Sequence, residues 1–153
     1  MSYVDDASFG DFTCKHCGFT VSADTLYSGV IHRNHCPYCL WSRHLDLYKS
    51  GDRYSACKGL MKPVGLCLKK TYKKYAPLGT AGELMLVHQC LECGKSSINR
   101  IAADDDPDQV MRVYTQSLSL DSHIRNDLFR KDIILLEERH KKVIILRLFG
   151  STR

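Results

Sequence analysis

The apolar positions follow two kinds of pattern, and the change comes near residue 104. Before it they form short runs broken by glycine, proline and polar pairs. Val64 to Tyr72 and Glu83 to Gln89 read as two strands; Lys73 to Gly82, with Pro77, Gly79 and Gly82, reads as the long hairpin loop between them. Upstream, Phe12-Thr13 is extended in character and Gly18 marks a sharp bend. After the change, Asp104-Asp105-Asp106-Pro107 has the make-up of a helix start. Asp106 can cap, Pro107 suits the first helical position, and acidic charge favours the positive end of the helix dipole. Val110, Met111, Val113, Tyr114 and Leu118 then recur at mostly helical spacing. Farther on, Ile133–Leu136 and Val143–Leu146 flank the polar Glu137–Lys142. Their branched residues favour a hairpin of two buried strands, with one helix over roughly 126–147 as the alternative.

Composition divides the chain in the same way. Residues 1–11 form a short acidic N-terminal extension; residues 12–103 hold all eight cysteines and five of the seven histidines; residues 104–153 hold no cysteine. At 153 residues, one domain with an appendage is expected. Hydrophobic residues at 44% and charged residues at 25% exclude wholesale disorder. No apolar run approaches the ~20 residues of a membrane span, and the start lacks a secretory pattern. A cytoplasmic protein with no membrane partner is therefore expected.

Six of the cysteines form three Cys-x-x-Cys pairs: Cys14/Cys17, Cys36/Cys39 and Cys90/Cys93. In a reducing compartment such pairs ligate metal more often than they form disulfides. Two residues between thiolates let both face one ion across a tight turn. Eighteen residues separate Cys17 from Cys36, which matches the spacing of a four-thiolate zinc site. Such a site has no open position for water and is structural. Cys90 and Cys93 need partners for a second site. Cys57, isolated just before the hairpin, is the natural third ligand. His44 is preferred as the fourth, with His88 as the alternative and Cys67 third. Cys67 also reads as a small core residue, and His16 as exposed rather than ligating.

At this point the sequence resembles a family. Arg33-Asn34-His35-Cys36-Pro37 spells the signature of the RNHCP-domain family, bacterial proteins of zinc-ribbon character. The resemblance continues through Leu40, Trp41, Ser42, His44 and Asp46, and Gly51-Asp52-Arg53. It runs on through Cys57-x-Gly59-Leu60-Met61-x-Pro63-Val64, Val87-His88-x-Cys90-x-x-Cys93-Gly94 and Asn99-Arg100-x-Ala102, so it covers roughly residues 12–106. It implies a ribbon fold and favours Cys57, His44 and His88 over Cys67 as ligands. The tail from residue 119 lies outside it.

Within the signature, His35 is expected to hydrogen-bond a thiolate or carbonyl. Arg33 is expected either to offset the charge of the four-thiolate site or to meet phosphate. Trp41 reads as a core residue between the sites, with base stacking as the alternative.

The formal charge is +5, and two zinc–thiolate sites would bring it to about +2. Distribution says more than the sum. From Arg53 to Gly82 there are seven basic residues and no acid, with tyrosines interleaved. Lys69, Lys70, Tyr72, Lys73, Lys74 and Tyr75 near the hairpin loop offer cations to phosphates and rings to unpaired bases. RNA is favoured over duplex DNA because no recognition helix is evident near the ribbon; a ribosomal setting fits common uses of zinc ribbons.

Catalysis finds little support. There is no H-E-x-x-H and no H-x-E, and Gly94-Lys95-Ser96 lacks the first glycine of a phosphate loop, since position 89 is Gln. The expected fold is a small α+β protein: zinc-ribbon-type hairpins with two Zn2+, then a helix and an apolar hairpin or helix. The expected function is a non-catalytic, RNA-contacting module. The rival is a protein–protein adaptor or homodimer built on residues 119–153.

Overall fold

The computed structural model describes residues 11–22, 24–29, 33, 35–45, 54–69 and 82–150. Among these the chain runs β1 (Phe12–Thr13), β2 (Thr20–Val21), a single helical turn α1 (Thr25–Ser28), β3 (Ser42–Arg43), β4 (Leu60–Lys69), β5 (Glu83–Cys90) and β6 (Ser96–Arg100). Helices α2 (Pro107–Ser117) and α3 (Ser122–Arg130) follow, then a 3-10 turn (Glu138–His140) and α4 (Lys141–Phe149). This is the α+β ribbon that the sequence led us to expect. No described helix is long and apolar enough to cross a membrane.

Strands β1 and β2 pair antiparallel around the first cysteine turn. The larger sheet has the order β3-β4-β5-β6 and is antiparallel throughout. Its trunk is the β4–β5 hairpin, paired from Met61↔Cys90 to Lys69↔Glu83. The register shifts between Pro63 and Gly65, where a proline without an N–H interrupts the ladder.

Both faces of the trunk are covered, which explains the unbroken burial of Leu84–His88. On one face Leu66, Leu84 and Leu86 pack with Leu40, with Val110, Val113 and Tyr114 of α2, and with Ile144 of α4. On the other, Val64, Cys67, Met85 and Val87 pack with Leu128 of α3 and with Leu135. Asp106 caps α2 through the Asp108 N–H at 3.0 Å, and Pro107 opens the helix, as its position suggested.

The expected C-terminal hairpin does not form, and neither does one long helix. Residues 133–136 form neither strand nor helix and bond elsewhere: Leu136 donates its N–H to the Leu66 carbonyl at 2.9 Å. The segment lies along the edge of β4 that the two-residue β3 does not reach, with Leu135 and Leu136 entering opposite core clusters. Leu135 packs directly on the Gly65 backbone, where a Cβ would come within 2.7 Å of its Cδ2. Residues 143–146 are helical because burial of Ile144 in the core outweighs the strand preference of branched residues. The 12–103 and 104–153 segments thus share both clusters.

Candidate metal centres

The three Cys-x-x-Cys turns are copies of one local design. The first cysteine donates its N–H to the carbonyl five residues on: Cys14 to Phe19 at 2.8 Å, Cys36 to Trp41 at 2.9 Å, Cys90 to Lys95 at 2.8 Å. Its carbonyl accepts the N–H four residues on, from Gly18, Leu40 and Gly94. That fourth residue is left-handed each time, with φ of 83°, 67° and 79°. Glycine adopts this without strain. Leu40 is retained in a disfavoured conformation because its side chain is wholly buried in the core.

Cys14, Cys17, Cys36 and Cys39 bring their sulfurs within 4.8 Å of one another. The pairs Cys14–Cys39 and Cys17–Cys36 are each 3.6 Å apart. A zinc tetrahedron with bonds of about 2.3 Å has edges of about 3.8 Å, so the donor set fits. In the second cluster His44, Cys57, Cys90 and Cys93 satisfy the same limit. Cys57 and Cys90 are 3.6 Å apart, and His44 Nδ1 is 3.3 Å from Cys93 Sγ. Each cluster could hold one metal ion.

The thiols behave as a crowded anion site would. Burial opposes ionisation of Cys14, but the N–H groups of Cys17 and His16 outweigh it and draw the thiol below its ordinary value. Cys90 is drawn down in the same way, burial being outweighed by the Cys93 and Glu92 N–H groups. Burial pushes Cys36 up to about 11 and raises Cys39 as well. Backbone N–H groups therefore favour the thiolate of Cys14 and of Cys90, and a dication would offset the cost that burial puts on ionising Cys36 and Cys39.

The second cluster contains one Cys-x-x-Cys turn only. Its other half is a backbone pairing in which His44 donates to Gly59 O at 2.8 Å and accepts from Lys58 N at 3.1 Å. Leu91 N–H then bonds the Leu60 carbonyl at 2.9 Å and ties the third turn to this pairing.

His88, the alternative ligand, lies in the core. Its Nε2 is 2.6 Å from the Leu40 carbonyl, which can only accept, so Nε2 carries the proton. Its Nδ1 accepts from the Asn99 amide at 2.9 Å. Complete burial lowers its pKa to about 3, so the ring is neutral. Cys67 is buried in the sheet and pushed up to about 11 by burial.

Arg33 does not reach a surface where phosphate could meet it. Its side chain is 0% exposed, and Nη1 and Nη2 fork onto both Asp104 oxygens at 2.8 and 2.7 Å. Nη2 also lies 3.4 Å from Asp105. His35 bonds Asp105 Oδ2 at 2.7 Å rather than a thiolate. Asp104 and Asp105, read as part of a helix start, therefore also clasp the second turn, Asp105 from within the core and Asp104 from its edge, a role we did not read from the sequence; three consecutive acids, more than one cap needs, were the available signal. Trp41 is half-buried and stacks on exposed His16, with centroids 4.0 Å apart and planes at 5°. Lys69 stands exposed at the end of β4. Lys70, Tyr72, Lys73, Lys74 and Tyr75 lie outside the described residues.

Fold and clusters together define a ribbon-type zinc-binding module with two closed, four-donor centres. The family model for the RNHCP domain matches residues 9–111, roughly two thirds of the chain, and the chain belongs to that family. No curated protein and no solved structure matches it.

Proposed function

We propose that this chain is a non-catalytic module that holds two structural Zn2+ ions and contacts RNA, with ribosomal RNA as the first target class. Four protein donors per ion leave no position for a reacting water. The observation that carries the RNA reading is the β4–β5 trunk. It starts at the second metal cluster and extends to Lys69↔Glu83. Lys69 stands exposed at the end of β4 remote from the second cluster, and Lys70, Tyr72, Lys73, Lys74 and Tyr75 follow it in sequence.

A salt series of binding between zinc-loaded protein and a labelled RNA strand tests this. With about 4 phosphates engaged, log affinity should fall with log salt at a slope near −3. Replacing Lys69, Lys70, Lys73 and Lys74 by Ala should flatten the slope. Absence of binding at low salt overturns the reading.

Exposed Phe129, Ile134, Val143 and Leu146 favour a second reading, in which the tail docks a protein or a second copy. Sedimentation across a concentration series tests self-association: a constant monomer mass removes the homodimer.

A further inference from the structure

The sheet is covered unevenly. On the face that carries α3, the residues far from the metal are sealed: Cys67, Met85 and Val87 are all buried. Nearer the clusters, the same face carries Arg43 opposite Leu60 and Lys62 opposite Gln89. There Lys62 is exposed and Arg43, Leu60 and Gln89 are half-buried. Trp41 immediately precedes β3, and strand alternation counted back from Arg43 puts it on the same side. The stack of Trp41 under His16 extends this row.

We propose that this open half-face, from the His16–Trp41 stack across Arg43 and Lys62 to Gln89, binds single-stranded RNA. Bases extend the ring stack and phosphates lie against the cations. The inference rests on the RNA reading above but places a second contact surface at the metal end of the sheet, away from Lys69.

Charge selects this occupant. Segments 35–45 and 54–69 contain no acidic residue and contribute Arg43, Lys58 and Lys62 here. Glu92, the acid of the third turn, lays its side chain over Gly59. A comparison inside the first cluster sharpens the choice. Its two turns are related by a local pseudo-twofold: His16 meets Trp41, and the matching positions Tyr38 and Phe19 meet with centroids 5.0 Å apart. Phe19 and Tyr38 are 59% and 55% exposed. Tyr38, however, adjoins the acidic run, because Asp106 N–H bonds Pro37 O at 3.0 Å. Both ring pairs can stack, but only the His16–Trp41 pair adjoins cations that a phosphate chain requires.

Trp41 is the only tryptophan, so its emission reports on the surface directly. Titration of zinc-loaded protein with a short unstructured RNA should quench it, and inorganic polyphosphate should not. The Arg43→Gln/Lys62→Gln variant should retain two zinc ions, bind about tenfold more weakly and show a salt slope shallower by about 1.4. Phe19→Ala/Tyr38→Ala should bind as the parent does. RNA binding with unchanged Trp41 emission and parental affinity in the double variant overturns this inference and leaves the hairpin reading standing. No RNA binding at all overturns both. Equal quenching by polyphosphate, or tighter binding of polyglutamate than of RNA, removes base stacking and overturns the proposal.

Discussion

The two metal clusters use nearly the same donors but are built in opposite ways. The first is local: four cysteines within 26 residues, on two equivalent turns, with Cys14 and Cys36 buried. The second draws His44, Cys57, Cys90 and Cys93 from three separate segments, and Cys57 and Cys93 are exposed. Short-range geometry brings the four thiols of the first together, and the Asp104–Asp105 clasp fastens that unit to the rest of the fold. The second exists only once β3, β4 and β5 have found their register, so metal and sheet depend on each other there. A ribbon built this way has one self-sufficient anchor and one that reports on the state of the sheet.

Metal removal should separate them most strongly. Structural zinc contributes about 10–16 kcal/mol in small fingers, so complete chelation is expected to unfold the chain. Before that, release to a competing chelator should be biphasic, one ion per phase. The fast ion should come from the second cluster, whose exposed thiolates a chelator can reach. Cys57→Ser should abolish the fast phase and leave the slow one. A single phase for both ions, or loss of the slow phase in that variant, breaks the comparison.

The next effect concerns how the first cluster is fastened. Asp105 accepts from His35 at 2.7 Å and from the Ala102 N–H at 2.7 Å, and faces Arg33, all buried. Asp105→Ala leaves the buried His35 ring and the Ala102 N–H without their acceptor while Arg33 keeps Asp104, which should cost about 2–4 kcal/mol in denaturant unfolding of the zinc-loaded protein. It should accelerate the slow zinc phase and spare the fast one. A loss below about 1 kcal/mol, the value of a surface pair, removes the clasp from the account.

These differences also decide what the sequence could reveal. The first cluster was legible because its spacing is a local code. His44 could only be preferred among three donors, since Cys93 lies 49 positions farther along the chain and only sheet register closes that gap. His88 does share a face with Cys90, as a period of two predicts, but at His88 that face is core and its partner is the Leu40 carbonyl. Residues 133–136 look like a strand because they line a strand's edge. Their pairing partner is Leu66, far away in sequence, so a nearby hairpin was the natural misreading. Asp104 and Asp105 carry helix-start chemistry in sequence, and only the fold shows Arg33 and His35 waiting for them.

His88 joins the two regions: it sits on the strand that ends in Cys90 and bonds the turn that ends in Leu40. His88→Leu should retain both zinc ions, which separates a core role from a ligand role. It leaves the Leu40 carbonyl and the Asn99 amide without their bonds, at about 1–3 kcal/mol. The folded ring stays neutral down to about pH 3, whereas an unfolded histidine takes a proton near 6.5. The unfolded state thus binds more protons between these values, and the advantage of the parent over the variant should shrink as pH falls from 6.5 toward 3. An advantage that grows on acidification contradicts a buried neutral ring.

The smallest effect tests whether the second cluster feels the helices that cover its sheet. Tyr114, buried in α2, donates its hydroxyl to the Glu137 carbonyl at 2.6 Å. That bond holds the segment whose next residues start the 3-10 turn and α4. Tyr114→Phe keeps the ring in the core and removes only this bond, so about 1 kcal/mol should be lost. Because α4 packs on the sheet whose register closes the second cluster, the fast zinc phase should quicken slightly. The slow phase should not move, since the first cluster closes through its own turns. Equal acceleration of both phases would mean that the two anchors are mechanically one, and the local independence argued for the first would be wrong.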